Sequence, residues 1–419
     1  MQQQPSSPSF FHRTLVGLVG NVMEWYDFAV YGFFAATIGK LFFPSDDPVI
    51  SLIASFGTFA AGFLVRPLGG LVFGRIGDMV GRQRAMYLSV MAMGVPTMLM
   101  GLLPTYASIG IWAPILLVSI RLVQGLSVGG EYTSSLVYMV EQAPAGRRAF
   151  SAVWGAWGAT AGTLLGSGVG FLVASLLTPE QLVTWGWRLA FFMGGGVAFF
   201  GLLLRRSVHA EQPVSLSKAP QVDIFTRYRW DVLRVAFLNI GFSVAFYTIF
   251  VYSVSFLEQV AHFSDQKALR NNSIARAWML VVMPISAWLS DRYGRKKVLS
   301  VGFILLTLTA IPLFHMIGQG IRWVTILSQL ALALPVGIVS GAIAATNVEL
   351  MPRDIRCTGL AFSYNLSVGV FGGLTPMVIT WLTEYLHNPS APGYWVAAAA
   401  AISTVTLLFT VKETSRQSL

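Results

Sequence analysis

Twelve long apolar runs constrain this chain more than any other feature of its sequence. Each can cross a bilayer as an α-helix, which takes about 20 residues for a hydrocarbon layer of about 30 Å. Only 11% of the residues are charged, whereas a soluble domain has about 25%. The sequence therefore predicts an all-α integral membrane protein with twelve transmembrane helices. The runs lie near residues 15–38, 50–73, 85–105, 112–138, 149–177, 185–204, 232–257, 272–289, 298–318, 323–347, 357–386 and 393–411.

The chain is also an internal duplication, because two motifs recur about half a chain length apart. The motif D-x-x-G-R follows the second and eighth runs, and E-x-x-P-x-x-x-R follows the fourth and tenth. A polar stretch separates the two sets of six runs. This pattern predicts two pseudo-symmetric six-helix bundles, residues 1–204 and 230–419, joined by a cytoplasmic linker, residues 205–229.

The duplicated motifs predict a pair of charged gates. An aspartate at the end of one helix can cap the N-terminus of a neighbouring helix, and glycine permits a tight turn. The arginines can pair with Glu141 or Glu349. A simple basic turn at the cytoplasmic side would explain one copy, whereas two matched copies favour a salt-bridged gate. The gate residues are Asp78, Gly81, Arg82, Glu141, Arg148, Asp291, Gly294, Arg295, Glu349 and Arg356.

The basic residues indicate topology rather than nucleic-acid binding. The net charge is +10, but the lysines and arginines lie mostly in short links on one side of the membrane. We therefore expect both termini in the cytoplasm and no nucleic-acid partner. The eighth run is the weakest because it contains Arg276. Arg66, near the inner end of the second run, is expected to snorkel towards the cytoplasm and to pack at the gate.

No motif predicts catalysis, a metal site or a bound cofactor. The single cysteine cannot form an internal disulfide or a thiolate metal site, and the five histidines are scattered. The sequence contains no phosphate-binding loop, no zinc-spaced histidines and no nucleophile elbow with its partners. We expect neither an enzyme nor a protein that depends on a cofactor.

Two carboxylates lie inside the first apolar run, in the segment "GNVMEWYDFAVYGFF". On a helix, Glu24, Asp27 and Tyr31 share one face. An acid at this depth costs a few kcal/mol, so it is usually protonated, paired or facing water. We interpret the pair as part of a proton pathway, with Asp27 nearer to mid-membrane. The alternative is a static pair that orients the first helix against its neighbours.

Several motifs resemble the major facilitator superfamily, in particular its metabolite:proton symporters. That branch includes permeases for α-ketoglutarate, citrate, shikimate and proline/betaine. The most specific matching segment is "RLVQGLSVGGEY" in the fourth run. The resemblance also rests on "GNVMEWYDFAVYGFF", "FAAGFLVRPLGGLVFGRIGDMVGRQR", "FYTIFVY", "SDRYGRKK" and "GGLTP". It covers nearly the whole chain.

The resemblance also implies roles for individual residues. Arg121 would couple protons or bind the solute, with Gln124 one helical turn further, or it would be a permanent partner of Asp27 or Glu24. Glu131 lies ten residues beyond Arg121 in the sequence, about 15 Å along the helix, and is expected at the cytoplasmic gate. The further candidates for lining a substrate cavity are Tyr31, Asn239, Tyr247 and Asn365.

These observations together predict a secondary active transporter that works by alternating access. We expect proton-coupled uptake of a small carboxylate-bearing metabolite of the di- or tricarboxylate type. Symport of zwitterions such as proline or betaine is the alternative, and an exporter, a channel or an intramembrane enzyme fits less well. The expected partners are the solute, protons and the lipid bilayer. The protein would be a monomer in a bacterial inner membrane, with the proton gradient as its only energy source.

Overall fold

The computed structural model describes residues 10–206, 220–263 and 265–417, and these residues form helices and connecting loops without any β-strand. They divide into two compact units. The first unit is Met1–Gln142 with Trp154–Gln221, and the second is Ala143–Val153 with Val222–Leu419. Most of the predicted linker, residues 207–219, lies outside the described residues. The predicted domain limits stay a prediction.

The helices of the first unit follow the first six apolar runs. Helix α8 is divided between the units: its first residues belong to the second unit, and the rest of the helix belongs to the first. The helices are α1 Phe10–Phe33, α2 Ala35–Phe42, α3 Pro48–Leu64, α4 Arg66–Met79, α5 Arg82–Leu102, α6 Tyr106–Ile109, α7 Trp112–Glu141, α8 Arg148–Leu176, α9 Pro179–Gln181 and α10 Trp187–Arg206.

The helices of the second unit follow the other six runs. Two of the long helices contain a π-helical turn, at Thr248–Tyr252 and Ser367–Gly372. The α-helices are α11 Pro220–Asp223, α12 Arg229–Tyr247, α13 Ser253–Gln259, α14 Asp265–Tyr293, α15 Arg295–Gly318, α16 Arg322–Leu350, α17 Arg356–Leu366, α18 Gly373–Leu386 and α19 Ala391–Thr410.

Eleven helical segments among the described residues are long and apolar enough to cross a membrane. The twelfth predicted span corresponds to α1, where Asn21, Glu24 and Asp27 reduce the apolar character of the helix. The structure extends several spans beyond their predicted ends. The second, for example, runs through Asp78 as Ile53–Met79, because polar residues of the gate motif continue the helix.

Small residues bring α1 and α8 into backbone contact. A Cβ atom added to Gly158, Gly162 or Gly166 would meet main-chain atoms of α1, at residues 18, 22 and 26 respectively. Glycines spaced four apart thus form the contact stripe that allows two membrane helices to approach closely. The stripe fixes one face of α1, so the polar residues on its other faces are held in place against α5 and α7.

Candidate functional site

Asp27 is the centre of a buried polar network in the first unit. Its Oδ2 lies 2.7 Å from Nη1 of Arg121, while its Oδ1 accepts hydrogen bonds from Thr97 Oγ1 at 2.9 Å and Gln124 Nε2 at 3.0 Å. Gln124 also donates to Thr97 Oγ1 at 3.0 Å. All four side chains are buried. Three helices, α1, α5 and α7, therefore converge on one carboxylate.

The Arg121 guanidinium is held by an aromatic ring as well as by Asp27. Its Cζ lies 3.8 Å from the centroid of the Tyr31 ring, and the Tyr31 hydroxyl donates to the carbonyl of Ser55 at 2.9 Å. Nε and Nη2 of Arg121 and Oε1 of Gln124 have no hydrogen-bond partner among the described residues. The network therefore retains donors and an acceptor that a further polar group could use.

A second buried pair lies one helical turn before Asp27 along α1. Glu24 Oε1 is 3.7 Å from Nη2 of Arg66, whose Cζ lies 5.0 Å from the centroid of the Phe63 ring. Neither Glu24 oxygen has a hydrogen-bond partner among the described residues. Arg66 is only 2% exposed, so it is packed inside the first unit rather than extended towards solvent. The expectation that it snorkels is wrong, because Glu24 provides a counter-charge within the bundle.

Glu131 lies in the same unit, buried on α7. It accepts a short hydrogen bond from Ser89, whose carbonyl accepts from the Ser127 hydroxyl at 2.5 Å. These contacts form a second link between α5 and α7, in addition to the Asp27 network. The gate role expected for Glu131 stays a prediction.

The first copy of the gate motif forms a buried charge cluster. Arg82 contacts Glu141 through Nε at 3.2 Å and through Nη2 at 3.3 Å, and its Nη1 lies 3.4 Å from Asp78. The same Nη1 donates to the Gly77 carbonyl at 2.7 Å. Gly81 turns the chain with a φ of +116°, a conformation that favours glycine. The pairing expected from the motif is therefore present.

The second copy repeats this geometry in the second unit. Arg295 lies 2.8 Å from Asp291 and forms two contacts with Glu349, at 3.1 and 3.2 Å. Gly294 again has a positive φ, +107°. Arg356 is buried and its Nε donates to the Met351 carbonyl at 3.3 Å. A simple basic turn would not require a buried cluster of paired charges, and the structure has two matching ones. Their gating role stays a prediction.

Asp291 also caps the beginning of α8, as the motif predicts for an aspartate at a helix end. Its two carboxylate oxygens accept from the backbone N–H groups of Ala149 at 3.0 Å and Phe150 at 2.8 Å. Arg148, the first residue of α8, lies 3.6 Å from Glu349. The first turn of α8 is therefore tied to the charge cluster of the second unit.

The segment that follows α19 closes this cluster. Glu413 accepts from the backbone N–H groups of Arg295 at 2.8 Å and Lys296 at 3.1 Å, so it caps α15. The Thr414 hydroxyl donates to Glu349 at 2.6 Å, and the Gln417 carbonyl accepts from Arg148 at 2.7 Å.

Burial raises the pKa of the Glu413 carboxyl, but the hydrogen bonds that it accepts from Ser415, Arg295 and Lys296 outweigh this effect. The net pKa lies below its ordinary value of 4.5. Glu413 is therefore held as a carboxylate at neutral pH.

The remaining candidates of the second unit are partnered within it. Asn239 and Asn347 exchange amide hydrogen bonds of 3.0 Å between α12 and α16, and Asn365 donates to the Ala361 carbonyl of its own helix at 2.8 Å. The Tyr247 ring packs beside Gly372. Asn239 and Asn365 thus have structural contacts, and a role for any of the three in binding a solute stays a prediction.

Two further polar residues lie inside the membrane-spanning bundles although the sequence patterns did not select them. Thr97 completes the Asp27 network, yet a threonine in an apolar run carries no signal of its own. Arg276 has a signal, because a charge inside a transmembrane segment is a functional candidate by default. Arg276 therefore weakens the eighth run as a membrane span and is also a candidate functional residue.

Comparison with known proteins decides the family. The sequence profile of the Major Facilitator Superfamily matches residues 17–362 and 273–418. The chain belongs to the Major Facilitator Superfamily. It is therefore a multi-pass membrane transporter and not an enzyme, and both the family resemblance and the twelve-helix fold expected from the sequence are confirmed.

The relatives are bacterial transporters. The chain is 37% identical over 417 residues to the glycine betaine/proline/ectoine/pipecolic acid transporter OusA of Dickeya dadantii, covering 96% of this chain and 83% of the relative. It is 33% identical over 387 residues to the citrate-proton symporter of Klebsiella pneumoniae, covering 91% of this chain and 87% of the relative. The structure of the proton:xylose symporter XylE shares the fold, with a TM-score of 0.79, 18% identity, and coverage of 97% of this chain and 96% of that chain.

Proposed function

We propose that this superfamily member is a proton-coupled symporter that takes up a small zwitterionic solute carrying a carboxylate, of the proline/betaine type. The buried ion pair between Asp27 and Arg121 is the observation that carries the proposal. The relatives favour this solute class over the di- or tricarboxylate that the sequence led us to expect, which remains the second candidate because of the citrate-proton symporter.

The Asp27 network supplies a chemical basis for coupling. With Asp27 ionised, the charge of Arg121 is neutralised at 2.7 Å. When Asp27 takes up a proton, Arg121 becomes an uncompensated buried cation, a state that is costly without an anionic group nearby. Proton binding at Asp27 therefore weakens the ion pair that joins α1 to α7, so the protonated and ionised carriers differ in the contacts between these helices, as proton-coupled transport requires.

The two solute candidates share one group that a buried arginine can bind. Proline, betaine and citrate all carry at least one carboxylate. A zwitterion brings one carboxylate and one positive charge, so it adds no net charge to the bundle. Citrate would bring up to three negative charges and would need additional cations. The charge balance and the relatives therefore favour the same class.

The remaining features of the transporter follow from the proposed mechanism and from topology. The protein would lie in a bacterial inner membrane with both termini in the cytoplasm. The two charge clusters would stabilise one state of the alternating-access cycle and open in the other. The proton gradient would supply the energy without a cofactor, and one chain would be sufficient for transport.

Uptake into liposomes tests the proposal. Purified protein is reconstituted, a pH gradient with an alkaline interior is imposed, and the accumulation of radiolabelled proline, glycine betaine and citrate is measured. We expect uphill accumulation of proline or glycine betaine that a protonophore abolishes. Accumulation of citrate alone would favour the second candidate. If none of the three solutes accumulates above protein-free liposomes, the proposal is wrong.

A further inference from the structure

We propose that Arg276 of α14 is the anchor for the carboxylate of the transported solute, in a site that α14 forms with the π-helical turn Thr248–Tyr252. The inference rests on the proposed function and assigns a binding role that is distinct from proton coupling at Asp27. It also separates the two alternatives that the sequence left open for Arg121, because a different arginine would hold the solute.

The contacts described for the Arg276 guanidinium are with the main chain and with an aromatic ring. Its Nη2 donates to the carbonyl of Phe250 at 2.6 Å, and its Cζ lies 5.7 Å from the centroid of the Phe250 ring. Asn272, one helical turn earlier, donates from Nδ2 to the same carbonyl at 3.0 Å. A π-helical turn alters the usual helical pairing of its carbonyls, and here one such carbonyl orients two side chains of α14.

Arg276 has no carboxylate within ion-pair distance among the side chains that the structure describes. In contrast, the buried arginines Arg66, Arg121 and Arg295 each have such a partner. Arg276 lies nine residues from the start of its span, Lys267–Tyr293, which is about 14 Å along the helix. A cation at that depth requires a counter-charge. A mobile solute carboxylate would supply it.

Further unused hydrogen-bonding groups lie on α14 itself and on a neighbouring helix. Oδ1 of Asn272 and both amide atoms of Asn271 are buried on α14 without a partner among the described residues. On α16, which packs along α14, the same is true of Oε1 of Gln329, while Nε2 of Gln329 reaches Ser253 Oγ at 3.5 Å. Native proteins rarely leave so many buried polar atoms unsatisfied. A polar ligand beside Arg276 would provide a partner for Oδ1 of Asn272.

The chemistry of the site defines the ligand class. A guanidinium presents a planar fork of N–H donors that matches a carboxylate in two parallel hydrogen bonds. The free Oδ1 of Asn272 can add a neutral acceptor, and the described part of the site contains no acidic side chain that would repel an anion. The depth within the span places the site away from lipid headgroups. A small solute carboxylate therefore fits better than a phospholipid phosphate.

The test compares two ligands that differ in the carboxylate. Glycine betaine has a quaternary ammonium and a carboxylate, whereas choline has the ammonium with a hydroxyl instead. Uptake of glycine betaine into liposomes and its inhibition by choline are measured for the wild type and Arg276→Gln. We expect the apparent KM for glycine betaine to rise at least about tenfold, in line with the loss of a hydrogen bond to a charged group. Inhibition by choline should change less than twofold.

A matched control is available on the same helix. Arg270 is exposed on α14 and has no acidic partner among the described residues, so Arg270→Gln makes the same change of charge and should behave as the wild type. An unchanged KM in Arg276→Gln would overturn the inference. Equal weakening of glycine betaine and choline would also overturn it, because a structural role affects both ligands.

A second variant and a second solute cover the cases in which Arg276→Gln does not fold or glycine betaine is not transported. If Arg276→Gln does not fold, Arg276→Lys retains the charge but loses the fork, and its KM for glycine betaine should rise severalfold; a wild-type KM would refute the inference. If the wild type accumulates only citrate, the same variants are tested with citrate. If it accumulates neither solute, the proposed function fails before Arg276 is examined.

Discussion

Replacing Asp27 by asparagine removes the charge that neutralises Arg121 but retains most of the shape. The amide oxygen can still accept from Thr97 and Gln124, so the main loss is the ion pair at 2.7 Å. Breaking a buried pair by removing one partner costs about 3–5 kcal/mol. Arg121→Gln has the opposite effect, since it leaves Asp27 as the unpaired charge. The double variant Asp27→Asn/Arg121→Gln buries neither charge.

The expected result is strong non-additivity. Each single variant should lose about 3 kcal/mol of stability, whereas the double variant should lose less than either one, which corresponds to a coupling energy above about 3 kcal/mol. Thermal unfolding of the four purified proteins in one detergent measures this as midpoints, with the double variant above both single variants. A double variant whose loss equals the sum of the two single losses would refute the idea of a direct, buried interaction.

The same four proteins separate stability from coupling. Asp27→Asn resembles the protonated carrier, so it should lose uphill accumulation driven by a pH gradient while retaining exchange of solute at equal pH. The double variant should regain stability but not accumulation. If Asp27→Asn concentrates the solute at the wild-type rate, Asp27 is not the proton carrier, and Glu24 becomes the remaining acid on that face of α1.

Three further predictions concern the gate, the C-terminal segment and the helix contact. Arg82→Ala leaves the cluster of the first unit without its cation, so the maximal uptake rate should fall at least about fivefold while KM stays within about twofold; an unchanged rate would exclude a gate role. Because the pKa of Glu413 lies below its ordinary value of 4.5, its stabilising effect is present above pH 4.5 and is lost as the pH falls through its folded-state pKa. Glu413→Gln should therefore cost at most about 1 kcal/mol at pH 7 and progressively less as the pH falls below 4.5, as thermal unfolding along a pH series would show. Gly162→Leu should prevent the contact with Val22 and give little folded protein, whereas Gly168→Leu, where the added Cβ has open space, should fold normally in size-exclusion chromatography.

The sequence is informative where burying a charged residue in the membrane is costly, because such residues are then rare and easy to recognise. Charged residues are rare in apolar runs, so the sequence alone singles out Glu24, Asp27 and Arg121, and the structure places Asp27 and Arg121 in direct contact. Duplication allows the Arg82 and Arg295 clusters to be predicted with their acidic partners. Both inferences depend on residues whose burial would be costly without a partner.

Other features depend on three-dimensional contacts that leave no such pattern. Thr97 looks like any small residue of an apolar helix until the Asp27 carboxylate is placed beside it. Ala143–Val153 belongs to the second unit, where Ala149 and Phe150 donate hydrogen bonds to Asp291, a residue far away in the sequence. The environment of Arg66 could not be predicted from its distance to the end of the span, because its carboxylate partner lies on a different helix.

The π-helical turn Thr248–Tyr252 also affects how this helix tolerates changes in length. Such a turn contains roughly one more residue than a turn of α-helix. Deleting one residue there would let the helix continue in regular α geometry, and the residues beyond would keep approximately the same face because the π turn accommodates the extra residue. The carbonyl of Phe250 would then accept a backbone hydrogen bond in the regular helical pattern and would be less available to Arg276 and Asn272, although no side chain at the site had been altered. In this segment a one-residue deletion changes which backbone groups are free, and a relative that lacks the residue would offer α14 fewer free carbonyls.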